Sequence, residues 1–167
     1  MPRFKSVYEA IGVIHTPFRE PAGTPIQPPA ARGVEGWVEV FPEYVPGLAG
    51  LEGFSHVILI YHFHLSGPWR PLVRPYMDKG EHGVFATRAP ARPNPIGISV
   101  VRLLGVEGNV LRVCDVDIVD GTPLLDIKPY VPQFDAPEPE DVRIGWLAGR
   151  VERLPAVRDD GRFTGTL

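Results

Sequence analysis

Proline and glycine set the terms for this chain: twenty and eighteen of its 167 residues are too many for a helical bundle, because proline removes a backbone donor and glycine loosens a helix interior. Short strands joined by shaped loops remain. The constraint is tightest between Gly83 and Ser99, where Val84, Phe85 and Ala86 read as the end of a buried strand and Pro90, Pro93 and Pro95 follow. Proline fixes its own φ and pushes the preceding residue out of the helical region, so this loop has few conformations to choose from. It carries Thr87, Arg88, Arg92 and Asn94, two guanidinium forks with a hydroxyl and an amide. Such a loop is either a rigid surface turn with solvated arginines or a stiff cradle for a ligand. Gly97 and Ile98 lead straight into the apolar run Ser99 to Leu104; anchorage in the core at both ends favours the cradle.

A hydrophobic content of 44% with 22% charged residues describes a globular domain rather than a disordered segment. The length suits one domain. Cys114 is the only cysteine, so an internal disulfide and a cysteine-cluster zinc site are excluded, and a small core residue is the simplest reading. No segment has the length and apolarity of a membrane span, which makes the cytoplasm the default expectation. The net charge of −3 lacks the basic excess usual in nucleic-acid binders. Locally the balance reverses: Pro68 to Pro93 holds Arg70, Arg74, Lys79, Arg88 and Arg92 against Asp78 and Glu81.

In chain order, Val7 to His15 reads as a first strand that ends at Thr16-Pro17. Phe18 to Gly33 is a long loop with four prolines, a length that in compact domains tends to be functional or disordered. Val34 to Phe41 alternates as a second strand, and Leu48, Leu51 and Phe54 fit one or two helical turns. Ser55 to Leu65 is almost unbrokenly apolar, the pattern of a central strand covered on both sides. Its His56, His62 and His64 share one face. A zinc site there would need a third ligand and an acid that the segment does not supply, so no metal is expected.

Trp69 and Tyr76 are interleaved with Arg70 and Arg74, a mixture suited to stacking on bases and pairing with phosphates, or equally to covering the core edge. Ser99 to Leu104 and Asn109 to Val119 read as a hairpin turning at Gly105 to Gly108. In its second strand Leu111, Val113, Asp115, Asp117 and Val119 share a face, so its acids sit at a barrel rim, in a polar pocket or, most commonly, on the solvent side. Asp120-Gly-Thr-Pro123 is a turn with Gly121 free to take positive φ, and Leu124 to Tyr130 is the next strand. Asp141 to Leu147 reads as a short helix. The pattern is mainly β, a β-barrel or strongly curved antiparallel sheet with short helices and long loops. It divides into a barrel over residues 1–134 and an extension of the same domain over 135–167, with no separate C-terminal domain. No Gly-x-Gly-x-x-Gly follows an early strand, so a doubly wound nucleotide-binding sheet is not supported.

Four motifs in order carry a family likeness: Ile11-Gly-Val-Ile-His-Thr-Pro-Phe18; Leu51-Glu-Gly-Phe-Ser-His56; Phe85-Ala-Thr-Arg88 with Arg92-Pro-Asn-Pro-Ile-Gly97; and Asp120-Gly-Thr-Pro-Leu-Leu-Asp-Ile-Lys-Pro-Tyr130. Together they resemble the TrmO/TsaA-like family of S-adenosylmethionine-dependent tRNA methyltransferases. The resemblance implies a homodimeric β-barrel that binds S-adenosyl-L-methionine near the subunit interface and methylates N6 of threonylcarbamoyladenosine at tRNA position 37.

By the same resemblance, the long loop embraces the methyl donor through Pro25, Gln27 and Pro28, with Ile26 where the family usually carries arginine. His64 and Leu65 line the pocket at the strand end; Arg88 and Ile98 hold the donor from the proline loop. Asp117, Asp120, Gly121 and Thr122 complete its surroundings. Arg92 and Asn94 shape the loop and face the modified base, whose threonyl carboxylate invites a guanidinium, and Arg70 and Arg74 are candidates for the RNA. No catalytic residue emerges. Two other functions fit the same residues: a methyltransferase for a different small-molecule or RNA acceptor, and a non-enzymatic S-adenosylmethionine sensor.

Overall fold

The computed structural model describes residues 3–165. Its strands are β1 (Gly12–His15), β2 (Glu35–Val40), β3 (His56–His62), β4 (Leu72–Val73), β5 (His82–Gly83), β6 (Ile96–Glu107), β7 (Val110–Cys114) and β8 (Thr122–Pro129). One short α-helix, α1 (Pro132–Asp135), and several 3-10 turns fill the connections. Six strands close into an antiparallel barrel in the order β1-β2-β7-β6-β3-β8, with β8 returning to β1, while β4 and β5 form a separate ribbon. The curved-sheet expectation therefore resolves to a closed barrel without free sheet edges.

Alternation builds the core. Ile14, Val38, Val57, Leu59, Val101, Leu111, Val113 and Leu124 point inward and are fully buried, each contributing about 1.5–3 kcal/mol by leaving water. A barrel of six strands curves sharply, and β1 meets β2 with no room for a side chain at Gly12, where a Cβ would strike the Glu39 carbonyl. Glycine lets the two backbones approach there.

Five local expectations change. β3 is covered on one side only: Val57, Leu59 and Tyr61 face the interior while Ile58 and Ile60 are half-buried on the outside, because a barrel strand has one inner and one outer face. Val84 to Ala86 is a 3-10 turn, not a strand end: Thr87 returns both its N–H and its hydroxyl to the Val84 carbonyl, burying Val84 and turning Phe85 outward. The hairpin's second strand stops at Cys114, since Asp115 takes φ 67°, a left-handed conformation that breaks the alternation. Asp115 then turns out to pair with Arg102 at 2.7 Å and to accept the Gly33 N–H at 2.8 Å, and these partners hold its carboxyl below the usual range. Asp117 is carried inward and buried. β6 also runs to Glu107, moving the hairpin turn to residues 107–110, and the first strand begins only at Gly12, Val7 and Tyr8 being exposed.

Beyond β8 the chain folds back over the barrel mouth. Phe163 packs with Val73, Val84, Ala89 and Ala91 in a second apolar cluster. The short helix expected over 141–147 is instead a pair of 3-10 turns, Pro139–Asp141 and Gly145–Leu147.

Candidate functional site

The barrel end where β3 leaves and β6 begins opens into a cavity of about 1020 Å³, at the top of the range for a small-molecule site. The β1–β2 loop, the proline-rich loop and the returning C-terminal segment wall it. From the first of these come Pro25, Gln27 and Pro28, with Ile26 beside them; from the β3 exit, His64 and Leu65. Arg88, Arg92, Ile98, Asp117 and Thr122 reach the same space.

Asp120 and Gly121 stand just outside. The Asp120 carboxylate accepts the Thr16 N–H at 3.1 Å and lies 3.4 Å from His15 Nδ1, while Gly121, at φ 77°, donates its N–H to the Ile14 carbonyl. Their geometry shapes the turn that presents Thr122. Asn94 is exposed and does not line the cavity. Arg70 and Arg74 flank a separate depression shared with Arg162. Tyr76 packs edge-on against Phe163 at 5.3 Å while Trp69 stays exposed, so of the two aromatics one covers the core edge and one faces solvent.

At the cavity floor three polar groups from distant parts of the chain meet inside the barrel. Ser99 Oγ donates to Asp117 Oδ1 at 2.6 Å and lies 2.9 Å from Tyr61 Oη. Ser99 has only one proton to give, so Tyr61 donates to Ser99 and the run is Tyr61 to Ser99 to Asp117. Burial pushes the Asp117 carboxyl up to about 7, against the Ser99 hydrogen bond and the Arg88 charge. Burial, then Asp117, also raises the Tyr61 phenol. Sequence patterns single out neither Tyr61 nor Ser99. Ser99 offers one signal, a lone hydroxyl opening an apolar run.

The two arginines of the proline loop do different things. Arg88 Nη1 donates to Gln27 Oε1 at 2.7 Å, joining two walls and placing a cation beside the residue that follows Ile26. Arg92 Nη1 lies 2.9–3.3 Å from the Val84, Thr87 and Ala89 carbonyls, which makes it the brace of its own loop. Arg92→Ala is expected to cost about 1–3 kcal/mol in chemical denaturation, because the three loop carbonyls lose the guanidinium nitrogen they share. A loss below about 0.5 kcal/mol would mean that the prolines alone hold the loop.

Burial, then His62, pulls the His64 imidazole below its ordinary value, which keeps it neutral near pH 7. His56 bonds to the neighbouring Ser55 hydroxyl. Among the described residues no group of three or more His, Cys, Asp or Glu could hold a metal ion, and no helix is long and apolar enough to cross a membrane.

Comparison with known proteins places this barrel. The family described as tRNA-methyltransferase O N-terminal domain matches residues 13–136. A probable S-adenosyl-L-methionine-binding protein of Pyrococcus abyssi is 64% identical over 156 residues, covering 93% of this chain and 84% of its own length. The tRNA (adenine(37)-N6)-methyltransferase of Escherichia coli is 42% identical over 135 residues, 75% of this chain and 57% of that enzyme. The crystal structure of TrmO from Pseudomonas aeruginosa superimposes with a TM-score of 0.70 at 42% identity, covering 86% of this chain and 63% of that one. This chain thus spans somewhat over half the length of these two methyltransferases. With the barrel and all four motifs inside or overlapping the matched segment, the chain belongs to the tRNA-methyltransferase O N-terminal domain family.

Proposed function

We propose that this protein transfers the methyl group of S-adenosyl-L-methionine to N6 of adenosine 37 in tRNA, the acceptor being the threonylcarbamoylated nucleoside. The observation that carries the reading is a large cavity lined by Gln27, Arg88 and Thr122 together with a buried carboxylate, Asp117. The relatives' names supply the donor and the acceptor atom.

In this reaction the methyl C–S bond breaks as the C–N bond forms, and the proton on N6 must leave. A sulfonium methyl is already electrophilic, so the protein's work is alignment, exclusion of water and removal of that proton. Asp117 is the group suited to accept the proton, because it lines the cavity and at about 7 its affinity for a proton matches the working pH. Tyr61 and Ser99 hold it in place. Arg88 and Gln27, already bonded to each other, would fix the donor, while Arg92 keeps the loop's shape beneath the modified base.

Arg88→Ala is expected to weaken binding of S-adenosylhomocysteine about tenfold or more, since it removes a charge-assisted donor and releases Gln27. Calorimetry showing unchanged affinity would take Arg88 out of the donor site. The reaction itself is tested with S-adenosylmethionine carrying a labelled methyl group. Label in the position-37 nucleoside of tRNA, read by mass spectrometry, supports the assignment; donor binding without transfer to any cellular RNA would point to a sensor, and transfer elsewhere to another acceptor.

On the same reading the protein works in the cytoplasm as a homodimer. Ile96, Ile98 and Phe85 stand exposed around the cavity, an apolar rim of the kind a partner subunit covers. Sedimentation is expected to give the mass of two chains, and Ile98→Glu to shift it to one.

A further inference from the structure

The β1–β2 loop is poorly held by the barrel itself. Among the described residues, the only backbone hydrogen bonds from Arg19 to Arg32 that reach a distant segment run to Asp159: Gly23 N donates to the Asp159 carbonyl at 2.6 Å and Asp159 N to the Thr24 carbonyl at 2.9 Å. The next part of that loop, the 3-10 turn at Pro28–Ala31, rests on another at Val151–Ala156. At the β3 exit, Gly67 N donates to the Phe163 carbonyl at 2.8 Å and Gly165 N to the Leu65 carbonyl at 3.0 Å. On the third wall, Trp146 Nε1 donates to the Ala86 carbonyl at 2.8 Å, two residues from Arg88, and its ring stacks on His82 at 4.7 Å.

One segment therefore touches the loops that carry Pro25, Gln27 and Pro28, His64 and Leu65, and Arg88. Trp146 and Leu154 also line the cavity, as does Asp159, which faces the buried Tyr76 hydroxyl. Asp78 secures the Trp146 end, 2.8 Å from His82 and 3.6 Å from Arg150. All of these tail residues lie beyond the family-matched segment, which ends at residue 136.

We propose that residues 145–165 are a strap that orders the three loops of the donor site and forms its outer wall, so that donor affinity in this chain depends on a segment outside the family barrel. The inference rests on the donor-site reading above. Without the strap the β1–β2 loop would have to be ordered by the ligand at the moment of binding, and that entropy would come out of the affinity. With it, the site is preformed.

The test uses the full chain and S-adenosylhomocysteine as probe. Trp146→Ala is expected to raise the dissociation constant about tenfold, the scale of ordering a few side chains and a loop on binding. Trp146→Phe, which keeps a ring on His82 but loses the bond to Ala86, should fall between. In the methylation assay the donor KM should rise by more than kcat falls. Hydrogen exchange gives a readout independent of ligand: in Phe163→Ala the amides of Gly23, Gly67 and Gly165 should lose protection together while those pairing β3 with β6 keep theirs. Should that variant not fold, Trp146→Ala carries the same exchange test. Affinity changed by less than about twofold in Trp146→Ala, or independent exchange of the three amides, overturns the strap while leaving the donor site intact. A wild-type chain that does not bind the probe overturns the donor site and the strap with it.

Discussion

Asp117→Asn is expected to make the protein more stable at pH 8 and nearly inactive. The two effects have one cause. Asp117 is buried at the cavity floor with a serine hydroxyl as its hydrogen-bond donor, and no salt bridge reaches it among the described residues. Its carboxyl stands at about 7 where the ordinary value is 3.8. Between those values the folded protein keeps a proton that the unfolded chain has released, so stability falls as pH rises through this window and the loss is complete above about 7. An amide carries no such cost. The variant should therefore gain roughly 2–4 kcal/mol over wild type at pH 8, the upper figure being the full shift, and the gain should vanish below about pH 4.

Activity should move the other way. Asparagine still accepts the Ser99 hydrogen bond, so the floor keeps its shape, but it cannot take a proton from N6. A fall of about 10²- to 10⁴-fold in kcat is the usual cost of losing a general base. In wild type kcat should climb as pH passes about 7, where Asp117 ionises, and the remnant activity of the variant should be flat there. If the variant keeps more than about a tenth of the rate at saturating donor and tRNA, the proton leaves by another route. A gain in stability without loss of rate would make Asp117 a strained core residue and nothing more.

Local rules make the barrel readable, and pairwise meetings of distant residues hide the rest. Alternation marks β2 to within a residue, the apolar run marks β3 to within three, and the stretch after the Asp120 turn marks β8 to within two. Gln27 and Arg88, 61 residues apart, hydrogen-bond to each other. Counting from Leu111 assigns Asp117 a face, and the count fails at Asp115, because one residue at positive φ resets the alternation for everything after it. Glycine is the usual signal for such a position, and aspartate gives almost none. The meeting of Tyr61 with Ser99 and of Ser99 with Asp117 joins residues 38 and 18 apart, which no periodicity reveals. The strap leaves still less trace: it is a series of turns and backbone hydrogen bonds without regular strand or long helix, and neither period exists to be detected.

Gly97→Ala should be among the most damaging single methyl groups in the chain. Gly97, the second residue of β6, stands directly opposite Tyr61 on β3, and the phenol ring lies across the glycine. An added Cβ would overlap the edge of that ring and come within 2.9 Å of Phe63 Cζ. Neither ring can yield easily: they pack edge to face at 5.4 Å, and Tyr61 is tied through Ser99 to Asp117. Overpacking of this kind costs about 1–3 kcal/mol, and the upper end applies because the backbone of a paired strand would have to move; in a protein of this size that lowers the melting temperature by roughly 6–12 °C. Because the ring must tilt, the Tyr61 hydroxyl leaves Ser99, and methyl transfer should fall along with stability. Shrinking the ring separates the two losses. Gly97→Ala combined with Tyr61→Leu should recover much of the stability relative to the sum of the single changes while leaving methylation low, since the polar floor has lost its first member. Additive losses in that cycle would mean that Gly97 is needed for the loop before it rather than for the ring above it. The glycine that closes the arginine and proline motif would on this account be there to make room for a tyrosine, and through it to aim the carboxylate on which the chemistry turns.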